Sequence, residues 1–597
     1  MDNQYMSMEN LRFWMFDVHN VEALFELERF QDYDRESIEM FLQSMKDFAD
    51  AELYPFFTAM DEKPVRFENG KVLAHPQLKN IIAKAADLGW LGPGFDYEFD
   101  GMQIPESIFL AGNHILESAN NSATGYLNLT TGSANLILTF GDEELKRTYV
   151  PKMVNGTWMG TMALTEPQAG SSLSFLTTAA QPTDAGYYHI RGQKIFISGG
   201  DHQFAENFIH LTLARIEGAP EGTKGISLFV VPKFRTNSEG GLEPNDVITA
   251  GDFQKMGQRG YATTHLVFGE NENCRGWLVG EPHQGLKYMF QMMNAARIDV
   301  GATAASTATA AYYASLQYAK ERSQGTLLTG DRTQDGQTLI INHPDIKRML
   351  LLQKAITEGS MSLLFECSRL ADLHAHATDG KNGDYHMLLE LLTPIAKTYP
   401  AEAGQRAINN GLQVLGGYGF CIDFPLQQYY RDIRIMSLYE GTTGIQSLDL
   451  LGRKMTMKNG RAVDLLVMEI EKTINDAITF EATKPYAKLL GEKLRLTDQV
   501  FRHLAAFAKT GDMERFLADA TVFMEFAGTL VVAWQWLKMG IVAQKTIEVK
   551  ENSPFYQGKL HAMKFFFHYE VPKMEALAQT LQNVEKLTIG KEIIDYL

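Results

Sequence analysis

The stretch YYHIRGQKIFISGG, residues 187–200, is a run of β-branched and aromatic residues with a period near two, closed by a glycine pair. Similar runs follow at NFIHLTLARI (207–216), KGISLFVVPKF (224–234) and ATTHLVFG (262–269), separated by Gly, Pro, Asn and Asp clusters. They predict a central β-domain of short strands over residues 157–279. On either side the period is helical. ESIEMFLQSMKDFADAELYPFF (36–57) repeats apolar residues every three or four positions. HPQLKNIIAKAADLGW (75–90) has Pro76 near a helix start and Gly89 where a stop belongs. After Gly280 long alanine-rich helices return, and alanine lets neighbouring helices pack closely. The expected order is an N-terminal helical extension over 1–35, a helical domain over 36–156, the β-domain over 157–279, a helical bundle over 280–458, and further helices over 459–597. The fold class is therefore α+β.

A chain of 597 residues is long enough for several cores. Its net charge of -17 repels polyanions, so nucleic-acid binding is not expected, and any anionic ligand needs a local basic pocket. Cys274, Cys367 and Cys421 lie far apart with no paired spacing, which suggests neither a disulfide framework nor a zinc site and fits a reducing cytosol. No metal is expected. The opening residues have no basic region before an apolar run, so no targeting signal is read and the expected location is cytoplasmic. The longest apolar stretch, residues 523–539, contains Glu525 and is short for a bilayer, so a buried helix is expected there instead of a membrane span. Its AWQWLKMG segment suits core packing, or alternatively a partner subunit.

Several chemistries lack their motifs. No GxGxxG follows a strand and opens a helix, and there is no phosphate-binding P-loop, HExxH or GxSxG. His374 and His376 are two residues apart and point to different helix faces.

Four separated pieces carry the chemistry. MALTEPQAGSS (162–172) is a polar loop in which Gly170 lets backbone N–H groups approach an anion; on its own it also reads as a turn. KIFISGG (194–200) places Phe196 and Ser198 on a strand, where an aromatic is more often plain core. The helix carrying Asn294 and Arg297 continues to Arg322 at its end, and a guanidinium pairs well with phosphate oxygens. Last come QVLGGYGFCIDFPLQQYYRD (413–432) and SLYEGTTGIQ (437–446). In the latter, Gly441 reads as a helix stop, with Thr443 to Gln446 as a capping box for the restart.

In this order the pieces resemble the acyl-CoA dehydrogenase family, flavoproteins that remove two hydrogens from the α and β carbons of an acyl-CoA. The resemblance covers residues 36–454. It implies an N-terminal helical domain, a central β-barrel-like domain and a C-terminal four-helix bundle, here with an extra helical domain. FAD is the implied cofactor, contacted by Met162, Leu164, Thr165, Ser171, Phe196, Ser198, Arg322, Gln413, Gly416, Gly417, Thr442 and Gly444. Ser171, Asn294, Arg297 and Gly441 fall to the acyl-CoA. Glu440 falls on the catalytic base, since the alternative position before Arg297 is Ala296, which cannot take a proton. Two positions depart from the pattern: Ser172 stands where an Asp is usual, and Gln428 where a basic residue is usual.

Abstraction of a proton α to a thioester needs a base at about 3 Å and a stabilised enolate. An apolar acyl pocket would raise the Glu440 pKa towards neutrality. The resemblance implies that the β-hydrogen leaves as hydride to the flavin, with the thioester oxygen held by the Glu440 N–H and a flavin hydroxyl. The N-terminal segment and the long C-terminal addition resemble a long bacterial branch, which includes 3-methylmercaptopropionyl-CoA dehydrogenases. The implied partners are an electron-transfer flavoprotein as acceptor and a second copy in a homodimer or dimer of dimers. An oxygen-using acyl-CoA oxidase, a DNA-associated flavoprotein of the same fold and a non-catalytic assembly role are the alternatives.

Overall fold

The β-branched runs at 207–216 and 224–234 become two adjacent antiparallel strands, and almost every residue in them is buried. The computed structural model describes residues 4–327, 336–550 and 553–597. Two compact units result: residues 36–296, and residues 1–35 with 297–597.

The first unit opens with helices α1 (Arg35–Phe48), α2 (Leu78–Asp87), α3 (Glu106–Phe140) and α4 (Glu143–Val154). The α2 helix starts just after Pro76, and Gly89 follows it at φ +71, the left-handed conformation glycine adopts freely at a helix end. Eight strands of one sheet follow: β1 (Trp158–Ala163), β2 (Ala179–Pro182), β3 (Tyr188–Ser198), β4 (Asn207–Ile216), β5 (Ile226–Pro232), β6 (Val247–Asp252), β7 (Thr263–Phe268) and β8 (Arg275–Leu278). Their order in the sheet is β6-β7-β3-β8-β5-β4-β1. The β2 strand pairs with both β3 and β4 and so closes a ring through β8 and β5, giving the barrel-like domain.

Period-two alternation serves two cores. Ile209, Leu211, Leu213, Leu228 and Val230 point to one face and pack with Ala134, Ile137, Leu145 and Val150 of α3 and α4. Ala214, Phe229, Val231, Ile190 and Leu266 fill the other face. Burial of each such side chain contributes about 1.5–3 kcal/mol, so the two-sided burial, more than strand propensity, defines this sheet.

The second unit is helical. It contains α5 (Gly285–Glu321) from Arg297 onward, α6 (Pro344–His376), α7 (Asn382–Val414), α8 (Leu426–Ile433), α9 (Thr443–Asp449), α10 (Arg461–Ala477), α11 (Lys484–Lys509), α12 (Ala520–Val549), α13 (Pro554–Tyr569) and α14 (Lys573–Gln582). Small residues bring α5 and α7 together. A Cβ on Gly301 would lie 2.0 Å from the Ala396 carbonyl oxygen, so only glycine permits that approach.

Among the described residues one helix, α12, is long and apolar enough to cross a membrane, yet it lies buried within this unit. Trp534 and Trp536 are fully enclosed, and Trp536 Nε1 donates to the Ala355 carbonyl at 2.8 Å, so the tryptophans serve the core. The N-terminal extension belongs to the same unit: Phe13 and Trp14 are buried, and Asn10 accepts from Lys559 Nζ at 2.6 Å.

Candidate active site

In the first unit the loop after β1 is organised by a buried ion pair. Lys194 of β3 lies 2.8 Å from the Glu166 carboxylate, and both side chains are excluded from solvent. Glu166 also accepts from the backbone and hydroxyl groups of Thr177 and Thr178 and from Gln168 Nε2, at 2.6–3.1 Å. Burial alone would raise this carboxyl; the ammonium and these donors outweigh burial and hold it down at about 2. Lys194 donates a second bond to the Leu164 carbonyl at 3.0 Å, while Ile195 N–H donates to the Thr165 carbonyl at 2.9 Å. Leu164 and Thr165 are thereby fixed against β3, next to Met162 at the end of β1. Gly170 and Ser171 stand exposed, and the Ser172 hydroxyl, at the first departure, pairs with Ser174 at 3.0 Å.

Phe196 is not a core residue. Between the partners Lys194–Leu266 and Ile197–Thr264, β3 carries one residue more than β7, and the bulge puts Phe196 at φ +57. Its ring is 57% exposed and lies 4.5 Å from that of Phe253, so the strand presents an aromatic face outward. Ser198 is half-buried and pairs across with Thr263.

In the second unit Glu440 ends a short turn. Its φ is +53, unusual for a residue with a side chain, and Gly441 continues at φ +91. The turn is tied down on all sides. Gln446 Nε2 donates to the Glu440 carbonyl at 2.9 Å, and Gln405 Nε2 donates to Ser437 Oγ at 3.2 Å. The cap of α9 is Thr442, whose hydroxyl accepts from Ile445 N–H at 3.3 Å, and not Thr443 as the capping-box spacing suggested. Thr443 is already helical, and its hydroxyl donates to the Glu402 carboxylate instead.

Glu440 is half-buried, and burial raises its pKa, opposed by the nearby charges of Arg297 and Lys397. Arg297 is buried and lies 3.5 Å from the Asp449 carboxylate, which also accepts from Arg453 at 2.6 Å. Asn294, on the same helix as Arg297, is half-buried. Arg322 is exposed at the far end of α5. Gln413, Gly416 and Gly417 are exposed where α7 ends, Gly416 at φ +59, with open space around both glycines. A Cβ on Gly444 would meet the Thr442 hydroxyl at 3.9 Å, an ordinary contact. Gln428, the second departure, is buried on α8 with Asp432. Lys397 was not singled out from sequence; its only signal is a lysine among small buried positions of α7 such as Thr393, Ala401 and Gly404.

One unit holds helices and a closed β-domain, and the other is helical and carries at a left-handed turn a carboxylate whose pKa burial raises. Sequence comparison agrees along the chain. Residues 35–157, 161–270 and 283–455 match the N-terminal, middle and C-terminal domains of acyl-CoA dehydrogenase, and 466–590 match an acetyl-CoA dehydrogenase C-terminal-like domain. The chain is 34% identical to 3-methylmercaptopropionyl-CoA dehydrogenase of Ruegeria pomeroyi, over 92% of this chain and 94% of that one. It is 32% identical to a broad-specificity linear acyl-CoA dehydrogenase of Mycobacterium tuberculosis, over 96% of each. The solved acyl-CoA dehydrogenase from Bacillus anthracis, complexed with FAD, superposes with a TM-score of 0.73 at 21% identity, covering 96% of this chain and 92% of that one. The protein belongs to the acyl-CoA dehydrogenase family.

Proposed function

We propose that the protein is an FAD-dependent dehydrogenase that converts an acyl-CoA thioester to its trans-2-enoyl product, with Glu440 as the base. The observation that carries this is the Glu440 turn: a carboxylate in a left-handed conformation, its pKa raised by burial. A carboxylate short of water is a stronger base than one in solution, which suits the removal of a weakly acidic α-proton. The turn's ties to Gln446, Gln405 and Glu402 hold the backbone on which the acid sits. Glu440 N–H is assigned to the thioester oxygen, and Arg297, Asn294, Gly441 and Ser171 to the acyl-CoA.

The residues present fit a flavin. In the second unit Gly416 and Gly417 have open space beside them; in the first, Phe196 offers an exposed ring, and Lys194, paired with Glu166, holds the Leu164 carbonyl. To these we add Met162, Ser171, Ser198, Arg322, Gln413, Thr442 and Gly444 as flavin contacts. When bound, the flavin supplies the hydride acceptor. An electron-transfer flavoprotein is the proposed electron acceptor, and a homodimer or dimer of dimers the proposed assembly.

The test is anaerobic titration of the yellow protein with a panel of acyl-CoAs, following loss of flavin absorbance. Glu440→Gln should retain flavin and bind acyl-CoA yet bleach at least about a thousandfold more slowly, the scale of a lost general base. Wild-type turnover in that variant would remove Glu440 from the role, and steady peroxide formation under air would point to an oxidase.

A further inference from the structure

Lys397 has no exposed surface, and its ammonium meets no hydrogen-bond partner among the described residues. The other enclosed lysines of the same unit are satisfied. Lys559 bonds Glu358 and Asn10, Lys586 bonds Asp519, and Lys454 bonds Glu390. A buried, uncommitted cation is unfavourable and is retained where its charge acts on something nearby.

Its position follows from packing. The close approach of Gly301 to Ala396 packs α7 against α5 one turn from Arg297, and the charge of Arg297 reaches Lys397. Further along α7, Glu402 and Gln405 bond Thr443 and Ser437 on either side of Glu440. Arg297 lies against Asp449, which Arg453 shares, and the carboxylates whose charge reaches Lys397 are Glu402 and Glu440. The charge of Lys397 acts on Glu440 together with that of Arg297.

We infer that Lys397 is a positioning residue for proton abstraction, its ammonium holding Glu440 as the carboxylate in the resting enzyme. This rests on the assignment of Glu440 as base. Burial pushes the Lys397 ammonium down to about 8, against the pull of Glu402 and Glu440 and with the repulsion of Arg297. The lysine is therefore charged over the range in which a carboxylate of raised pKa titrates. Asp449, Arg453 and Glu390 act on the same cluster through Arg297.

The experiment is the pH profile of kcat/KM for Lys397→Met and Lys397→Gln, each checked for flavin content and melting temperature. Both variants should move the acid limb up by about one pH unit or more, a tenfold loss on that limb, since one unit of pKa is tenfold in ionisation. At higher pH, where Glu440 is ionised in every variant, the rates should converge. An unmoved acid limb in either folded, flavin-loaded variant overturns the inference, as does an equal loss at all pH values. The Glu440 assignment fails separately, if Glu440→Gln keeps its turnover.

Discussion

Replacement of Lys194 by methionine removes one partner of the buried pair and leaves the other. Glu166 is enclosed, and its four bonds from Thr177 and Thr178 stay in place, so it keeps its charge without the compensating cation. Loss of one partner of a buried pair costs about 3–5 kcal/mol. For a unit of this size each kcal/mol lowers the melting point by about 2–4 °C, so Lys194→Met should melt about 6–20 °C below the wild type at pH 7. The pH dependence has a definite sign. Glu166 is depressed in the folded protein, so its stabilisation is present above the unfolded carboxylate pKa and is lost as pH falls through the folded value of about 2. The gap between the two proteins should therefore narrow from about pH 5 downward. The double variant with Glu166→Gln should recover part of the loss, because no uncompensated charge remains. Flavin affinity is the second readout, measured by quenching of flavin fluorescence, since Lys194 also holds the Leu164 carbonyl. A Lys194→Met protein that melts with the wild type and binds flavin as tightly would refute this reasoning.

Three further outcomes are expected. Glu440→Gln should melt above the wild type at pH 8 and level with it at acid pH. Its raised pKa means that the ionised acid opposes folding at high pH, and differential calorimetry reads the crossing. His19 is buried beside Glu366, with its pKa lowered to about 4 by burial, so folding favours the neutral ring. Its stabilisation is complete above the unfolded value of about 6.5 and disappears towards pH 4, and His19→Gln should make denaturant stability less steep in pH over that window. Trp536→Ala in α12 removes a fully enclosed indole and its bond to Ala355, and should cost about 3–5 kcal/mol in equilibrium unfolding.

The residues of the proposed site could be named from sequence because they sit in short motifs. The Glu440 turn announces itself through an acid before glycine, and the structure supplies the left-handed φ that such a sequence permits. Phe196 shows the opposite case. Its strand alternates, so the ring could have been core or ligand face, and only the extra residue relative to β7 turns it outward. The cap moved from Thr443 to Thr442 because Glu402, distant in sequence, claims the Thr443 hydroxyl. Lys397 left almost no trace. A lysine in a helix ordinarily reaches water, and nothing nearby in the chain says that Gly301 admits α7 so closely.

Periodicity and breakers, which act over a few residues, were sufficient for the order helices, strands, helices. Nearest-neighbour physics carries that information, since a period of two or of three to four reflects which face is buried. Charge at the site lies beyond its reach. The Lys194–Glu166 pair, the Arg297–Asp449 contact and the solitary ammonium of Lys397 arise from approaches between distant segments. Their energies depend on how much water packing removes, a property of the folded interior and not of any stretch of chain.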